Sequence, residues 1–171
     1  MVIRTETEND YKTVYDVVKR AFAATSFSDG TEADYLNRIR KEPYFIPELS
    51  LVATEDQRIV GQVVLYEMSI DTSDKTVTQL VLSPLSVEPG SFRRGIGTSL
   101  IKEGCLRAQR LGYKAVFLCG DIGYYSRFGF APTYKYGIYH RKDTSRNAEW
   151  CMVKELEKGY LDAVTGLIDI E

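Results

Sequence analysis

The sequence contains little of what metal sites, disulfide frameworks and membrane spans require. Its 171 residues include one histidine, His140, and three cysteines, Cys105, Cys119 and Cys151, with no CxxC pair among them. Because zinc is usually held by histidine and cysteine, a metal site is not expected. An odd number of dispersed cysteines is typical of reduced core thiols, which predicts a cytoplasmic protein. No apolar run approaches membrane-spanning length, and the polar N-terminus does not resemble a signal peptide.

Neither sign of charge is in excess. The chain has 22 basic and 24 acidic residues and a formal net charge of −2. Such a balance does not indicate a nucleic-acid partner or a membrane surface. With 44% apolar residues and no repeat or linker, the chain is expected to form a single domain, residues 1–171, with its own core.

The hydrophobic pattern changes from helical spacing to strand-like runs and back. Apolar residues at helical spacing predict helices at 11–25 and 31–43, with a break at SFSDG, 26–30, between them, and a main helix at 97–112. A short helix ended by Gly129 is predicted within 121–130. Strands are predicted at 3–6, 49–54, 59–71, 76–89, 114–120, 130–140 and 148–156. The expected buried stripe of the main helix is Ile96, Leu100, Ile101, Cys105, Ala108 and Leu111. This order predicts an α/β fold, a mixed sheet covered by helices on both faces.

The stretch SFRRGIGTSL, residues 91–100, joins a predicted strand to the main helix. The first amides of a helix lack internal acceptors, and the helix dipole adds partial positive charge there. Gly95 and Gly97 allow a bulky anion to approach this backbone, and Arg93 and Arg94 add positive charge. The pattern favours a diphosphate site, although it is neither a Walker loop nor a dinucleotide-binding GxGxxG. The alternative is a junction whose glycines serve only the turn.

Several stretches together resemble the GNAT superfamily of N-acetyltransferases, and in particular its YhbS-like branch. They cover nearly the whole chain: AFAATSFSDGTEADYLNRIR, PELSLVA, IVGQVVL, LSPLSVEP, RRGIGTSLI, GYYSRFGF and MVKELEKGYLDAVTGLID. The phosphate motif of the superfamily, R/Q-x-x-G-x-G/A, matches residues 92–97 in part, because Phe92 stands where glutamine or arginine is usual.

The resemblance implies acetyl-CoA as cofactor, held between two splayed parallel strands of a GNAT fold. Those strands would be LSPLSV and AVFLCGD, and Pro84 fits the point where they part. Strand backbone would pair with the pantetheine arm, and helix amides would bind the diphosphate. The implied cofactor contacts are Leu85, Ser86, Val87, Arg93, Arg94, Gly95, Ile96, Gly97, Thr98, Ser99, Gly120 and Arg127. For Arg127, the alternative is a solvated side chain.

The resemblance also implies a tyrosine that protonates the departing thiolate, a role that suits a phenol with a pKa of about 10. Tyr125, four residues before Gly129, occupies the position of that tyrosine, and Tyr124 is its rival. The alternative is that Tyr125 only packs in an aromatic cluster.

The base that deprotonates the acceptor amine is less sharply indicated. Glu32 and Glu67 are the favoured candidates, and Asp34 and Asp121 are weaker ones. Some superfamily members have a glutamate at the position of Ser83, which can only relay a proton through water. A base is not needed at all if the amine arrives neutral.

The predicted function is therefore direct transfer of an acetyl group from acetyl-CoA to a primary amine, without an acyl-enzyme. Cys119 is disfavoured as a nucleophile because its motif contains no histidine, and His140 is expected at the surface. One alternative is a CoA-binding sensor without catalysis, and another is an interaction domain. Superfamily members often dimerise, so a homodimer is also an expectation.

Overall fold

The computed structural model describes residues 1–25 and 28–170. Four α-helices and nine strands are present in this part of the chain. The helices are α1 (Tyr11–Ala23), α2 (Glu32–Ile39), α3 (Ile96–Arg110) and α4 (Ile122–Tyr125). The strands are β1 (Val2–Thr5), β2 (Phe45–Glu55), β3 (Arg58–Asp71), β4 (Thr76–Val87), β5 (Ala115–Cys119), β6 (Ala131–Pro132), β7 (Ile138–His140), β8 (Cys151–Glu155) and β9 (Gly166–Ile168).

The chain divides into two compact units, and β3 and β4 each contribute residues to both. The first unit comprises Met1–Tyr66 and Ser83–Arg107. Here β1 and β2 are antiparallel, as are β2 and β3, which are joined by a turn with positive φ at Asp56 and Gln57. Valines at helical spacing bury one face of α1, and α2 buries Ala33, Leu36 and Ile39.

A buried ion pair lies within the first unit. Arg40, at the end of α2, donates to both carboxylate oxygens of Glu6, and the Ser50 hydroxyl donates to Glu6 at 2.7 Å. The two charged side chains are only 3% and 2% exposed. The guanidinium also lies 4.1 Å from the ring centre of Tyr11 and donates to Asn37. These partners replace the water that both charges lose on burial.

The second unit comprises Glu67–Leu82 and Ala108–Glu171. Two of its pairings are parallel: β4–β5, at Leu80–Val116 and Val81–Phe117, and β7–β9. The pairings β5–β8, β6–β8 and β3–β9 are antiparallel. The side-chain oxygen of Gln79 accepts the amides of Lys114 (2.9 Å) and Ala115 (3.0 Å) at the start of β5. Parallel and antiparallel pairs together confirm the expected mixed sheet.

Several expectations from the sequence are wrong in detail. Leu111 is half-exposed because α3 ends at Arg110, before that residue. Cys119 is exposed because it is the last residue of β5, whereas Cys105 and Cys151 are buried. His140 is 2% exposed rather than at the surface, since its ring bonds to the backbone of Ile170 and Lys142.

The C-terminal part contains more strands than the two expected. The predicted strand at 130–140 is split into β6 and β7, because Gly137 adopts a positive φ of 70°. In addition, β9 was not predicted; it pairs with β7 and β3. Of the predicted break at 26–30, residues 26 and 27 lie outside the described residues. No helix in the described ranges is both long and apolar enough to cross a membrane.

Candidate active site

The start of α3 presents a row of unused backbone amides. Arg93 and Gly95 have positive φ values of 62° and 80°, and they turn the chain into the helix. The first backbone bond of this turn runs from the Ser99 amide to the Gly95 carbonyl, at 3.0 Å. Within the described chain, the amides of residues 94–98 donate to no backbone carbonyl. Such amides, together with the helix dipole, favour an anion.

The side chains around this turn differ in what they can offer a ligand. Arg94 forms an ion pair with Glu55, 2.9 Å between Nη1 and Oε2. The Ser99 hydroxyl donates to the Gly95 carbonyl at 3.1 Å, so its proton is used within the turn. Arg93 is exposed, and its guanidinium makes no ion pair or hydrogen bond with the residues that the structure describes. Arg93 is therefore the arginine of the pair whose charge remains available.

Two residues of β3, Gly61 and Gln62, lie against the segments around this turn, and neither was predicted from the sequence. A Cβ on Gly61 would lie 3.0 Å from the Ser86 carbonyl oxygen and 3.0 Å from Ile96 Cγ2. The glycine therefore allows β4 and the first turn of α3 to lie close to β3. Its neighbour Gln62 is 1% exposed and donates to the Pro84 carbonyl and the Ser86 hydroxyl, both at 3.2 Å. The sequence signal that could have identified them is a glycine and a glutamine inside an otherwise apolar strand.

Residues 83–87 of β4 alternate in exposure. Pro84 and Ser86 are buried and are the two residues that Gln62 contacts, whereas Ser83, Leu85 and Val87 are partly exposed. Alternate residues of a strand point to opposite faces, so the three partly exposed residues share one face. In the first unit, the expected pantetheine strand and the expected diphosphate turn therefore both adjoin Gly61.

In the second unit, Tyr125 is packed against the backbone that follows β5. A Cβ on Gly120 would overlap the Cε2 atom of the Tyr125 ring, so this position requires glycine. The ring makes edge-to-face contacts with Tyr124, at 4.9 Å between centroids, and with Phe130, at 5.9 Å. Burial raises the pKa of Tyr125 above its ordinary value, and the neighbouring Tyr124 adds to the rise. The phenol therefore keeps its proton at neutral pH.

The residues around Tyr125 have structural partners. Asp121 caps α4 by accepting the Tyr124 amide at 2.7 Å, and Gly129, with a φ of 86°, ends the short helix as predicted. The Arg127 guanidinium lies 4.2 Å from the ring centre of Tyr124 and 4.8 Å from that of Phe128. Arg127 therefore stacks on aromatic rings, and among the residues that the structure describes no carboxylate forms an ion pair with it.

Both favoured base candidates already accept a hydrogen bond. Glu32, the first residue of α2, accepts from the Ser28 hydroxyl at 2.8 Å in the first unit. Glu67 accepts from the Tyr113 hydroxyl at 2.6 Å in the second unit. Burial and this carboxylate raise the pKa of Tyr113. Asp34 accepts from Tyr15 at 3.0 Å. Among the described residues, no group of histidine, cysteine, aspartate and glutamate side chains is arranged to hold a metal ion.

Comparison with known proteins places this geometry in a family. The model of the acetyltransferase (GNAT) domain matches residues 2–133. The uncharacterized N-acetyltransferase YhbS of Escherichia coli K12 is 29% identical over 171 residues, which cover 99% of this chain and 95% of that protein. The crystal structure of YhbS from Escherichia coli in complex with CoA has a TM-score of 0.84 at 26% identity, covering 99% of this chain and 89% of that one.

A second solved structure gives the same result. It is a GNAT family acetyltransferase from Brucella melitensis in complex with acetyl-CoA, with a TM-score of 0.78 and 26% identity, covering 99% of this chain and 95% of that one. The predicted family and fold class are confirmed: the chain belongs to the GNAT acetyltransferase family and is an acyltransferase with the mixed α/β fold of that family.

Proposed function

We propose that this protein transfers an acetyl group from acetyl-CoA directly to the primary amine of a small molecule or peptide. In this proposal residues 1–171 act as a single acetyltransferase domain. The observation that carries it is the start of α3, where amides of residues 94–98 lack backbone acceptors in the described chain and Arg93 adds a charge. Two relatives with 26% identity over nearly the whole chain were crystallised with CoA or acetyl-CoA.

The proposed cofactor contacts divide by chemistry. The amides of residues 94–98 and the Arg93 side chain would bind the diphosphate, and the backbone of residues 85–87 would pair with the pantetheine amides. Thr98 is partly exposed and can donate its hydroxyl, whereas Ser99 would contribute through its backbone. Arg94 would support the turn through Glu55, and the remaining proposed contacts are Gly120 and Arg127.

Calorimetric titration tests the cofactor proposal. Acetyl-CoA and CoA should bind, and pantetheine, which lacks the diphosphate, should bind at least tenfold more weakly. Arg93→Gln should weaken CoA binding several-fold and make it less dependent on salt, while leaving pantetheine unaffected. The matched variant Arg94→Gln should change CoA binding less, because that arginine is paired with Glu55. Equal binding of CoA and pantetheine would contradict the proposed diphosphate site.

Catalysis requires that the amine attack the thioester carbon and that the thiolate of CoA leave with a proton. We propose Tyr125 as the donor of that proton, because it occupies the position of the tyrosine acid in similar acetyltransferases and a phenol is protonated at neutral pH. Tyr125→Phe should lower kcat for thiol release by roughly 100-fold or more while CoA affinity stays constant. Tyr124→Phe is the matched control and should retain activity. Unchanged slow turnover in Tyr125→Phe would instead favour the alternative, a CoA-binding sensor.

The proposed bases are Glu32 and Glu67, and the acceptor experiment separates them. A panel of amines, amino acids and peptides should be screened for acceptor-dependent release of free thiol. With the best acceptor, Glu32→Gln and Glu67→Gln should be compared across pH. The variant that lowers kcat at low pH, where the acceptor is protonated, identifies the base. If neither changes the pH profile, the amine is attacked in its neutral form without a protein base.

A further inference from the structure

Cys119 and Cys151 face each other across two antiparallel strands. They are register partners in the β5–β8 ladder, of which they form the last pair. The next pair is joined by a hydrogen bond, from the Gly120 amide to the Trp150 carbonyl at 2.8 Å. Hydrogen-bonded and non-hydrogen-bonded pairs alternate along an antiparallel ladder, so the cysteine pair is of the non-hydrogen-bonded kind.

That position brings the two sulfurs within bonding range. The Cα atoms of a non-hydrogen-bonded pair are about 4.5 Å apart, and their side chains lie on the same face of the sheet. Disulfides form between Cα atoms separated by about 4.4 to 6.8 Å. The two thiols are also close enough to shift each other's pKa, and the Thr133 side chain lowers the pKa of Cys151 as well. A disulfide here would require rotation of side chains rather than movement of strands.

We propose that Cys119 and Cys151 are a site of reversible oxidation at which an intramolecular disulfide forms. One member of the pair is exposed and the other is buried, so an oxidant reaches Cys119, and Cys151 is held beside it. Cys105, on α3, belongs to the other unit and is buried. The proposal concerns the protein's own thiols and is independent of the proposed acetyl transfer.

Proton sharing between the sulfurs assists the reaction. Interaction with the Cys119 thiol lowers the pKa of Cys151, whereas the same interaction raises the pKa of Cys119. The pair therefore loses its first proton from Cys151, whose thiolate can then accept the proton of Cys119. A thiolate, not a thiol, is the form that an oxidant attacks.

Hydrogen peroxide oxidises the pair in two steps. The exposed Cys119 thiol first passes its proton to the adjacent Cys151 thiolate; the Cys119 thiolate so formed attacks one peroxide oxygen, the O–O bond breaks, and hydroxide leaves. Cys119 is then a sulfenic acid. The Cys151 sulfur attacks the Cys119 sulfur, the S–O bond breaks, and the thiol proton and the released hydroxide end in water. Two thiols and one peroxide thus give one disulfide and two waters, and a dithiol reductant restores the pair.

Thiol counting by mass spectrometry tests the proposal on the full chain. After limited peroxide, quenching and denaturation in alkylating reagent, the labelled cysteines should fall from three to one, and the mass should fall by two hydrogens before labelling. Peptide mapping should locate the bond between Cys119 and Cys151, and dithiothreitol should restore three labels. The only tryptophan, Trp150, adjoins Cys151 and should report the same cycle through its fluorescence.

Matched variants separate the pair from other thiol chemistry. Cys105→Ser should still form the disulfide, whereas Cys119→Ser and Cys151→Ser should not. Cys151→Ser should gain oxygen on the exposed Cys119, whereas Cys119→Ser should keep its buried Cys151 reduced. Because wild-type mapping requires no substitution, the test stands even if a variant fails to fold. The proposal is overturned if wild-type protein gains oxygen atoms without losing hydrogens, or if the mapped disulfide contains Cys105.

Discussion

Replacing Gly61 by alanine should weaken cofactor binding as well as lower stability. The new Cβ would stand 3.0 Å from the Ser86 carbonyl oxygen and 3.0 Å from Ile96 Cγ2, with Leu100 Cδ1 at 3.1 Å. Two of these atoms belong to the segments proposed to hold acetyl-CoA, the β4 backbone and the first turn of α3. The carbonyl oxygen cannot rotate away as a side chain can, so the strand or the helix must move by a few tenths of an ångström.

The magnitude follows from two opposing effects. Overpacking of a well-filled core costs about 1–3 kcal/mol. Replacing glycine also lowers the conformational entropy of the unfolded chain, which stabilises the folded state by about 0.4–1 kcal/mol. A net loss of roughly 1–2 kcal/mol is therefore expected, and each kcal/mol corresponds to about 2–4 °C in Tm for a chain of this size. We expect CoA affinity to fall about tenfold, equivalent to about 1.4 kcal/mol, because the amides of α3 no longer align with the strand.

Gly104→Ala is the matched control for this prediction. Its Cβ would lie 2.8 Å from Leu65 Cδ1, the end of a flexible side chain, and it lies in the middle of α3. Alanine gains up to about 1 kcal/mol of helix propensity there, which offsets the contact. Urea unfolding and calorimetric titration of CoA measure both quantities. The reasoning is refuted if Gly61→Ala binds CoA as wild type does, or if Gly104→Ala weakens binding equally.

Two further predictions concern stability. Glu6→Gln should lower the free energy of unfolding in urea by about 3–5 kcal/mol, because the buried Arg40 charge loses its partner. The double variant Glu6→Gln/Arg40→Met should recover part of that loss. A Glu6→Gln variant as stable as the wild type would contradict this prediction. The raised pKa values of Tyr125 and Tyr113 mean that the unfolded chain releases these protons first. Their contribution to stability is therefore complete below the ordinary phenol pKa of about 10 and is lost as pH rises above it. Tyr113→Phe should make this alkaline loss less steep in pH-dependent unfolding, and an unchanged slope would refute the assignment.

The sequence pattern was most informative where one local rule decided the structure. The apolar spacing of α1, that of α3 apart from Leu111, the Gly129 end of the short helix and the turn between β2 and β3 were predicted correctly. The glycines and arginines of residues 93–97 indicated the helix start, because unused amides and positive φ have a visible sequence signature. Family resemblance then linked this stretch to acetyl-CoA.

Contacts between residues distant in sequence could not be predicted in the same way. His140 is buried because the backbone of Ile170 reaches its ring, and no local pattern reports that contact. Similarly, the hydroxyl that donates a hydrogen bond to Glu67 belongs to Tyr113, which lies far along the chain from the strand that carries the carboxylate. The distinction between Arg93 and Arg94 depends on Glu55, which lies at the end of β2. Side-chain partnership, rather than residue type, decides which charges remain available.

The pairing of β3 with β9 has a consequence for how the protein is made. Ile70 pairs with Ile168, and β9 in turn pairs with β7, so a strand from near the end of the sequence completes this part of the sheet. During synthesis, the end of β3 that carries Ile70 therefore leaves the ribosome long before its partner is translated. Nascent chains stalled before Gly166 should present that edge to chaperones, and they should bind them until translation resumes.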